Sequence, residues 1–246
     1  MREITLLEML KCGVHFGHQK SRWHPKMKPF IFAERSGIHI IDLEKTQQKL
    51  KEALKFVETT VSRGGMVVFI GTKKQAQNIV KKYALESGMP YVVNRWIGGL
   101  FTNFAVVKKM IEKLANLKKK KASGELEKYT KKEKVEFQKE IDRLETLVGG
   151  ISGLKKIPEA AFIVDLKTEK TALQESRKKG IPIIALTDTN TDPTKVTYPI
   201  PANDDATKSI ELITSLMSES IIEAKRNIPV KTPEVGKSPD MQKPVV

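Results

Sequence analysis

Hydrophobic positions recur along this chain with two different periods. Short apolar runs lie over 66–70, 91–93, 161–166 (broken only by Asp165) and 182–186, and each predicts a strand. Between them, over 74–87 and 169–179, apolar residues return every three or four positions and predict helices, the second closed by Gly180. Strands without polar alternation are covered on both faces. The pattern therefore predicts a parallel sheet packed between helices, a Rossmann-like or flavodoxin-like α/β sandwich. A last helix is expected over about 205–226.

The first sixty residues follow a different plan. Thr5 and Glu8 have capping-box spacing and open a short helix that stops near Gly13. Residues 13–25 have no period and are expected to form a basic, glycine-containing loop. Apolar runs over 29–32 and 38–41 flank Ser36-Gly37, which predicts a β-hairpin. Asp42 is placed to cap a long helix carrying Leu43, Leu50, Leu54, Phe56 and Val57 and ending at Gly64-Gly65.

Residues 102–149 break the strand–helix alternation. Val107, Met110, Leu114 and Leu117 form one narrow apolar seam, and Phe137, Ile141, Leu144 and Val148 form another. Ser123-Gly124 and a second capping box, Thr130 with Glu133, lie between them. Two charged-flanked seams of this kind describe an antiparallel helical hairpin of coiled-coil type. Their narrowness favours projection from the sheet over lying flat on it. After Asn227 four prolines punctuate a polar stretch without period, which predicts a disordered tail. The expected organisation is a sandwich domain over 1–101 and 150–227, a protruding hairpin over 102–149 and a tail over 228–246.

Charge narrows the function. The 246 residues include 44 Lys and Arg against 29 Asp and Glu, a net charge of +15. Such a surplus points to a polyanion, most simply nucleic acid. A single cysteine, Cys12, excludes a disulfide framework and any multi-cysteine zinc module, and its apolar neighbours predict an inert thiol. No run reaches the ~18 apolar residues of a membrane span. The start, Met1 to Thr5, has no basic segment followed by an apolar one, so a reducing cytosol is the expected compartment.

Four segments could carry chemistry. Gly71-Thr72-Lys73-Lys74 joins a strand to a helix, where backbone N–H groups attract anions, yet it matches no nucleotide-binding loop. Lys73 and Lys74 either meet an RNA phosphate or are solvated. In the 94–103 segment, Arg95 and Trp96 suit phosphate pairing and stacking, unless the aromatics pack inward. Lys20, Arg22, Trp23, His24, Lys26 and Lys28 interleave cations with an aromatic ring, a pattern suited to phosphates and bases. A metal site on His15, His18 and His24 is the alternative there. Asp188, Asp192, Asp204 and Asp205 lie on loops expected at the carboxyl ends of the strands. They could hold a structural divalent cation such as Mg²⁺, or cap helices and turns. Lys118, Lys119, Lys120 and Lys121 crown the hairpin and face solvent, RNA or a partner.

Several blocks occur together and in order: Gly13-Val14-His15-Phe16-Gly17-His18, Trp23-His24-Pro25-Lys26-Met27, Phe69 to Ala76, Arg95 to Asn103, Asp188-Thr189-Asn190 and Ile200 to Ala206. Over residues 6–224 they resemble the S-two family of the bacterial small ribosomal subunit. The resemblance implies a three-layer α/β/α sandwich with a flavodoxin-like parallel sheet and a protruding helical hairpin. It implies a structural, non-catalytic role without a cofactor, bound to the ribosome in the cytoplasm. Small-subunit rRNA and neighbouring ribosomal proteins are the implied partners, with the large mRNA-binding protein S-one a further partner in many bacteria and a link to translation initiation. It also implies that the loop around Arg22-Trp23-His24 and the Arg95 loop face RNA. The competing reading is a phosphosugar- or nucleotide-binding enzyme on the same fold.

Overall fold

One hydroxyl starts the first helix. Thr5 Oγ1 accepts the Glu8 amide at 3.2 Å and opens α1 (Leu6–Lys11). The computed structural model describes residues 4–227, and the tail expected over 228–246 lies outside them. Strand β1 (Phe16–Gln19), a 3-10 turn (Pro25–Phe30), β2 (Ile31–Arg35) and β3 (Ile38–Ile41) follow. β3 is the middle strand of a small sheet and pairs antiparallel with both β1 and β2. The β2–β3 turn puts Ser36 and Gly37 at positive φ, as primed hairpin turns require. β1 falls where a loop was expected. Its sequence, Phe-Gly-His-Gln, has no alternation that would announce a strand.

Asp42 caps α2 (Leu43–Ser62) by accepting the Glu44 and Lys45 amides. The remaining elements are β4 (Val67–Ile70), α3 (Lys74–Ser87), β5 (Tyr91–Val92), α4 (Phe104–Ala122), α5 (Lys131–Val148), β6 (Ala160–Ile163), α6 (Lys170–Lys178), β7 (Ile183–Thr187), β8 (Tyr198–Pro201) and α7 (Thr207–Arg226). Five strands form one parallel sheet in the order β5-β4-β6-β7-β8. β8 is a further strand that the pattern concealed. Its Pro199 and Pro201 argue against a strand, and β8 tolerates them because it lies at the sheet edge.

All residues of β4 and β6 are buried, so alternate side chains serve opposite faces. Val67, Phe69, Ala160 and Phe162 join the core made with α2, α3 and α7. Val68, Ile70, Ala161 and Ile163 join the core made with α4, α5 and α6. These three layers are the expected α/β/α sandwich.

The helical pair of residues 102–149 is present, with the Thr130–Glu133 capping box closed in both directions. Val107, Leu114, Ile141, Leu144 and Val148 of the two seams are buried, together with Ile111. All of them belong to the same core as Val68 and Ile70, so the base of the pair covers the sheet. Toward the turn the packing thins: Leu117 and Phe137 are half-buried, and residues 118–125 are exposed. Phe137 meets Tyr129 edge-on at 5.1 Å. Lys113 pairs with Glu140 across the two helices at 2.6 Å.

Candidate nucleic-acid interface

Ligands of open parallel sheets sit outside the carboxyl ends of the strands. In this chain that position is filled by the protein's own charges. The loops after β4, β6 and β8 bring Lys73 to Asp204 (Nζ to Oδ1, 2.8 Å), Asp205 (2.7 Å) and Asp165 (3.4 Å). Burial works to lower the Lys73 pKa, but the carboxylates outweigh it and the net shift is upward. Lys73 therefore points inward, and its charge is spent inside the fold. The neighbouring donor is used as well, since Glu169 Oε1 accepts the Thr72 amide at 2.8 Å. The expected anion contact at this turn is corrected: the anions are internal. Lys74, by contrast, is exposed on α3.

The same acidic floor holds the amino-terminal loop. His18 Nδ1 lies 3.0 Å from Asp188 Oδ1, and its Nε2 lies 3.4 Å from Asp205 Oδ2. The hydrogen bond to Asp188 raises the His18 pKa. Thr189 Oγ1 accepts the His18 amide at 2.8 Å, and the Thr189 carbonyl accepts the His24 amide at 2.7 Å. Lys26 Nζ reaches Asp192 at 3.1 Å. Gly17 sits so close that a Cβ would lie 2.5 Å from Thr189 Cγ2. On the other side, the Asn203 amide donates to the Val14 carbonyl and its side chain donates to the Gly13 carbonyl.

The acidic residues divide by role. Asp204 and Asp205 do not cap α7. Asn203 Oδ1 instead accepts the Asp205 and Ala206 amides ahead of it. Asp192 does form its turn, accepting the Thr194 amide, and stands apart from the cluster. Burial works to raise its pKa, but hydrogen bonds from Thr194 and Lys26 hold it at about 2. Asp204 is only 1% exposed. Burial first, then the charges of Asp188 and Asp165, push its pKa up to about 7. Its Oδ2 is buried without a hydrogen-bond partner. His18, Asp188 and Asp204 each offer a ligand atom, all within 4.8 Å of one another. One nitrogen and two carboxylate oxygens suit a borderline divalent cation such as Zn²⁺. Of the three histidines considered together, only His18 takes part. The His15 ring lies tilted against that of Phe16, centroids 4.0 Å apart, and His24 Nδ1 accepts the Lys26 amide.

The outward face of the loop carries the cations. Lys20, Arg22 and Lys28 are exposed. Lys20 pairs with Glu34 at 2.8 Å. Trp23 is half-buried, its ring 5.2 Å from that of His39. On the hairpin, Lys118 pairs with Glu145 and Lys121 donates to Gln138. Lys119 and Lys120 have no ion pair among the described residues.

Arg95 is exposed, whereas Trp96 and Phe101 pack inward and meet edge-on at 5.0 Å. The loop between them is organised by Glu175 of α6. Its carboxylate accepts from the indole of Trp96 (3.3 Å), the amides of Gly99 (2.7 Å), Phe101 (3.1 Å) and Thr102 (3.2 Å), and the Thr102 hydroxyl (3.2 Å). Burial works to raise the Glu175 pKa; these donors outweigh it and hold the group charged. Sequence reasoning missed Glu175, Asp165 and Glu169, because each looks like an ordinary helix or turn acid.

Glu175→Gln leaves buried donors short of acceptors and is expected to cost about 3 kcal/mol at neutral pH. The folded pKa of Glu175 is depressed, so its contribution is present above the unfolded value of about 4.3 and is lost as pH falls through the folded value. The stability gap between wild type and variant, measured by urea unfolding, should narrow below about pH 4.

Comparison with known proteins places this geometry. A family model described as Ribosomal protein S2 matches residues 9–224. A curated relative, "Small ribosomal subunit protein uS2" of Fusobacterium nucleatum subsp. nucleatum, is 48% identical over 229 residues, covering 93% of each chain. The protein of the same name from Geotalea uraniireducens is 47% identical over 238 residues, covering 96% of this chain and 93% of the relative. The match spans the small sheet, the parallel sheet and the helical pair alike, and on it this chain belongs to the ribosomal protein S2 family.

Proposed function

We propose that the chain is a structural constituent of the small ribosomal subunit, that it binds rRNA and neighbouring ribosomal proteins, and that it works without catalysis. One observation carries this reading: beyond β4, β6 and β8 the crevice of the sheet is closed by Lys73 and its carboxylates, while the surplus cations face outward. Lys20, Arg22, Lys28, Lys74 and Arg95 are the cations offered to phosphates, each displacing condensed counterions. His24 and the exposed part of Trp23 add ring surface to the same face. Lys26 is anchored to Asp192 and contributes through the loop it fixes. Lys119 and Lys120 give the hairpin tip a basic surface for RNA or a partner.

A second surface supports protein neighbours. Leu7, Leu10, Phe16 and Phe32 are exposed, Phe32 by 77%. Leu10 and Phe32 line one cavity with His15, whose ring meets that of Phe16, and apolar side chains gathered in this way fit a protein contact better than a phosphate backbone. Where the bacterium has S-one, that protein is a further partner in this reading, and the role extends to translation initiation. Such a protein resides on cytoplasmic ribosomes. No helix among the described residues is long and apolar enough to cross a membrane.

The acidic floor holds a structural divalent cation on His18, Asp188 and Asp204 in this proposal. The orphaned Asp204 Oδ2 supports it, because a cation would satisfy the oxygen and relieve the like charges around it.

In sucrose gradients at low salt the protein should sediment with small subunits, and high salt should strip it. Sedimentation with no particle at low salt contradicts the proposal. Elemental analysis of purified protein should find about one divalent ion per chain, reduced in Asp188→Ala and Asp204→Ala. Metal-free protein whose melting is unmoved by added Zn²⁺ removes the cation from the account.

A further inference from the structure

Beside the acidic floor lies a basic cavity that neither charge counting nor motif reading selects. Its volume is about 280 Å³, and it opens between the loops that follow β6 and β7. Lys167, Lys170, Arg177 and Lys195 rim it, and Leu166 and Leu173 line it. The two leucines are nearly buried, at 4% and 8% exposed, whereas all four cations are exposed. Lys167, Lys170 and Arg177 make no ion pair among the described residues. The acid at this site is already engaged, since Asp192 is bonded to Lys26 and lies 3.8 Å from Lys195.

The surroundings extend the same electrostatic logic. α6 begins at Lys170 with no side chain capping its N-terminus, so the positive end of its dipole adds to the rim. His24 also lines the cavity, which joins it to the basic loop already described. On its opposite side α6 carries Glu175, which holds the Arg95 loop. The cavity therefore lies between the two outward-facing cationic segments.

From this geometry we infer that the cavity seats an unpaired nucleotide of the rRNA, with phosphates on Lys167, Lys170 and Arg177 and the base against Leu166 and Leu173. A concave site of this size excludes a duplex, and an apolar floor under a cationic rim matches a base joined to its phosphates. The inference rests on the rRNA-binding reading and gives it a specific seat.

The test uses the full chain and a small-subunit rRNA transcript, with binding measured from about 50 to about 300 mM KCl. The triple variant Lys167→Gln, Lys170→Gln, Arg177→Gln should bind at least about tenfold more weakly, with the log–log salt slope reduced by about two to three. Lys167→Arg, Lys170→Arg and Arg177→Lys together should restore both. Unchanged circular dichroism and melting confirm that the fold is intact. Binding equal to wild type in the triple variant, while Arg22→Gln with Lys28→Gln weakens it, overturns the cavity assignment alone. Wild-type protein with no salt-dependent affinity for the transcript overturns the rRNA reading together with it. A single-stranded oligoribonucleotide should compete better than a duplex of equal length, and the triple variant should lose that preference; a preference that survives removes the base from the cavity. AMP should show no saturable binding. Micromolar binding of AMP that the triple variant abolishes would assign the cavity to a free nucleotide instead.

Discussion

Asp188 and Thr189, at the carboxyl end of β7, hold the basic amino-terminal loop to the sheet, and the outward charge pattern depends on that junction. The loop has little apolar content of its own: between Phe16 and Lys28 only Met27 is a fully buried hydrophobe. Its course is set by hydrogen bonds from the His18 and His24 amides to Thr189, by the His18 imidazole on Asp188, and by Lys26 on Asp192. Each bond contributes only about 1 kcal/mol net, so the set must act together. Gly17 allows the approach, since any side chain there would collide with Thr189. The cations of the loop are thus displayed by a polar seam rather than by a core.

That seam has an electrostatic consequence. Asp165, Glu169, Asp188, Asp204 and Asp205 converge around one ammonium, Lys73, and one imidazole, His18. Five carboxylates against at most two cations leave excess negative charge in a poorly solvated place. The structure relieves it by raising Asp204 to about 7 and by keeping Lys73 charged, and a bound divalent cation would relieve it further. A crevice that is already anionic repels phosphates. In the proposed reading the phosphate-facing surface therefore lies around it, on the loop, on the Arg95 segment and on the rim of the neighbouring cavity.

Much of this was legible in the sequence. The apolar runs of β4, β6 and β7 announced a sheet buried on both faces, and the Thr130 and Asp42 caps were placed correctly. β1 and β8 were not legible, because a Gly-His pair and two prolines erase the local signal and only sheet pairing rescues them. Lys73 was placed correctly but aimed wrongly: a lysine at a βα turn looks the same whether it faces solvent or three carboxylates. Its partners lie 92 to 132 positions away, and no local pattern records them. The helical seams were legible as seams. Their landing on Val68 and Ile70 depends on tertiary packing, which narrow periodicity does not encode.

The central claim is that the loop clamped by Asp188 and Thr189 grips rRNA through its outward cations. Crosslinking the loop of residues 20–28 to rRNA in intact small subunits tests it most directly. Efficient crosslinks from Lys20 or Lys28 to a small number of nucleotides, lost when the subunits are washed at high salt, are the predicted result. Crosslinks from that loop only to protein, with rRNA untouched in fully assembled subunits, would contradict the account.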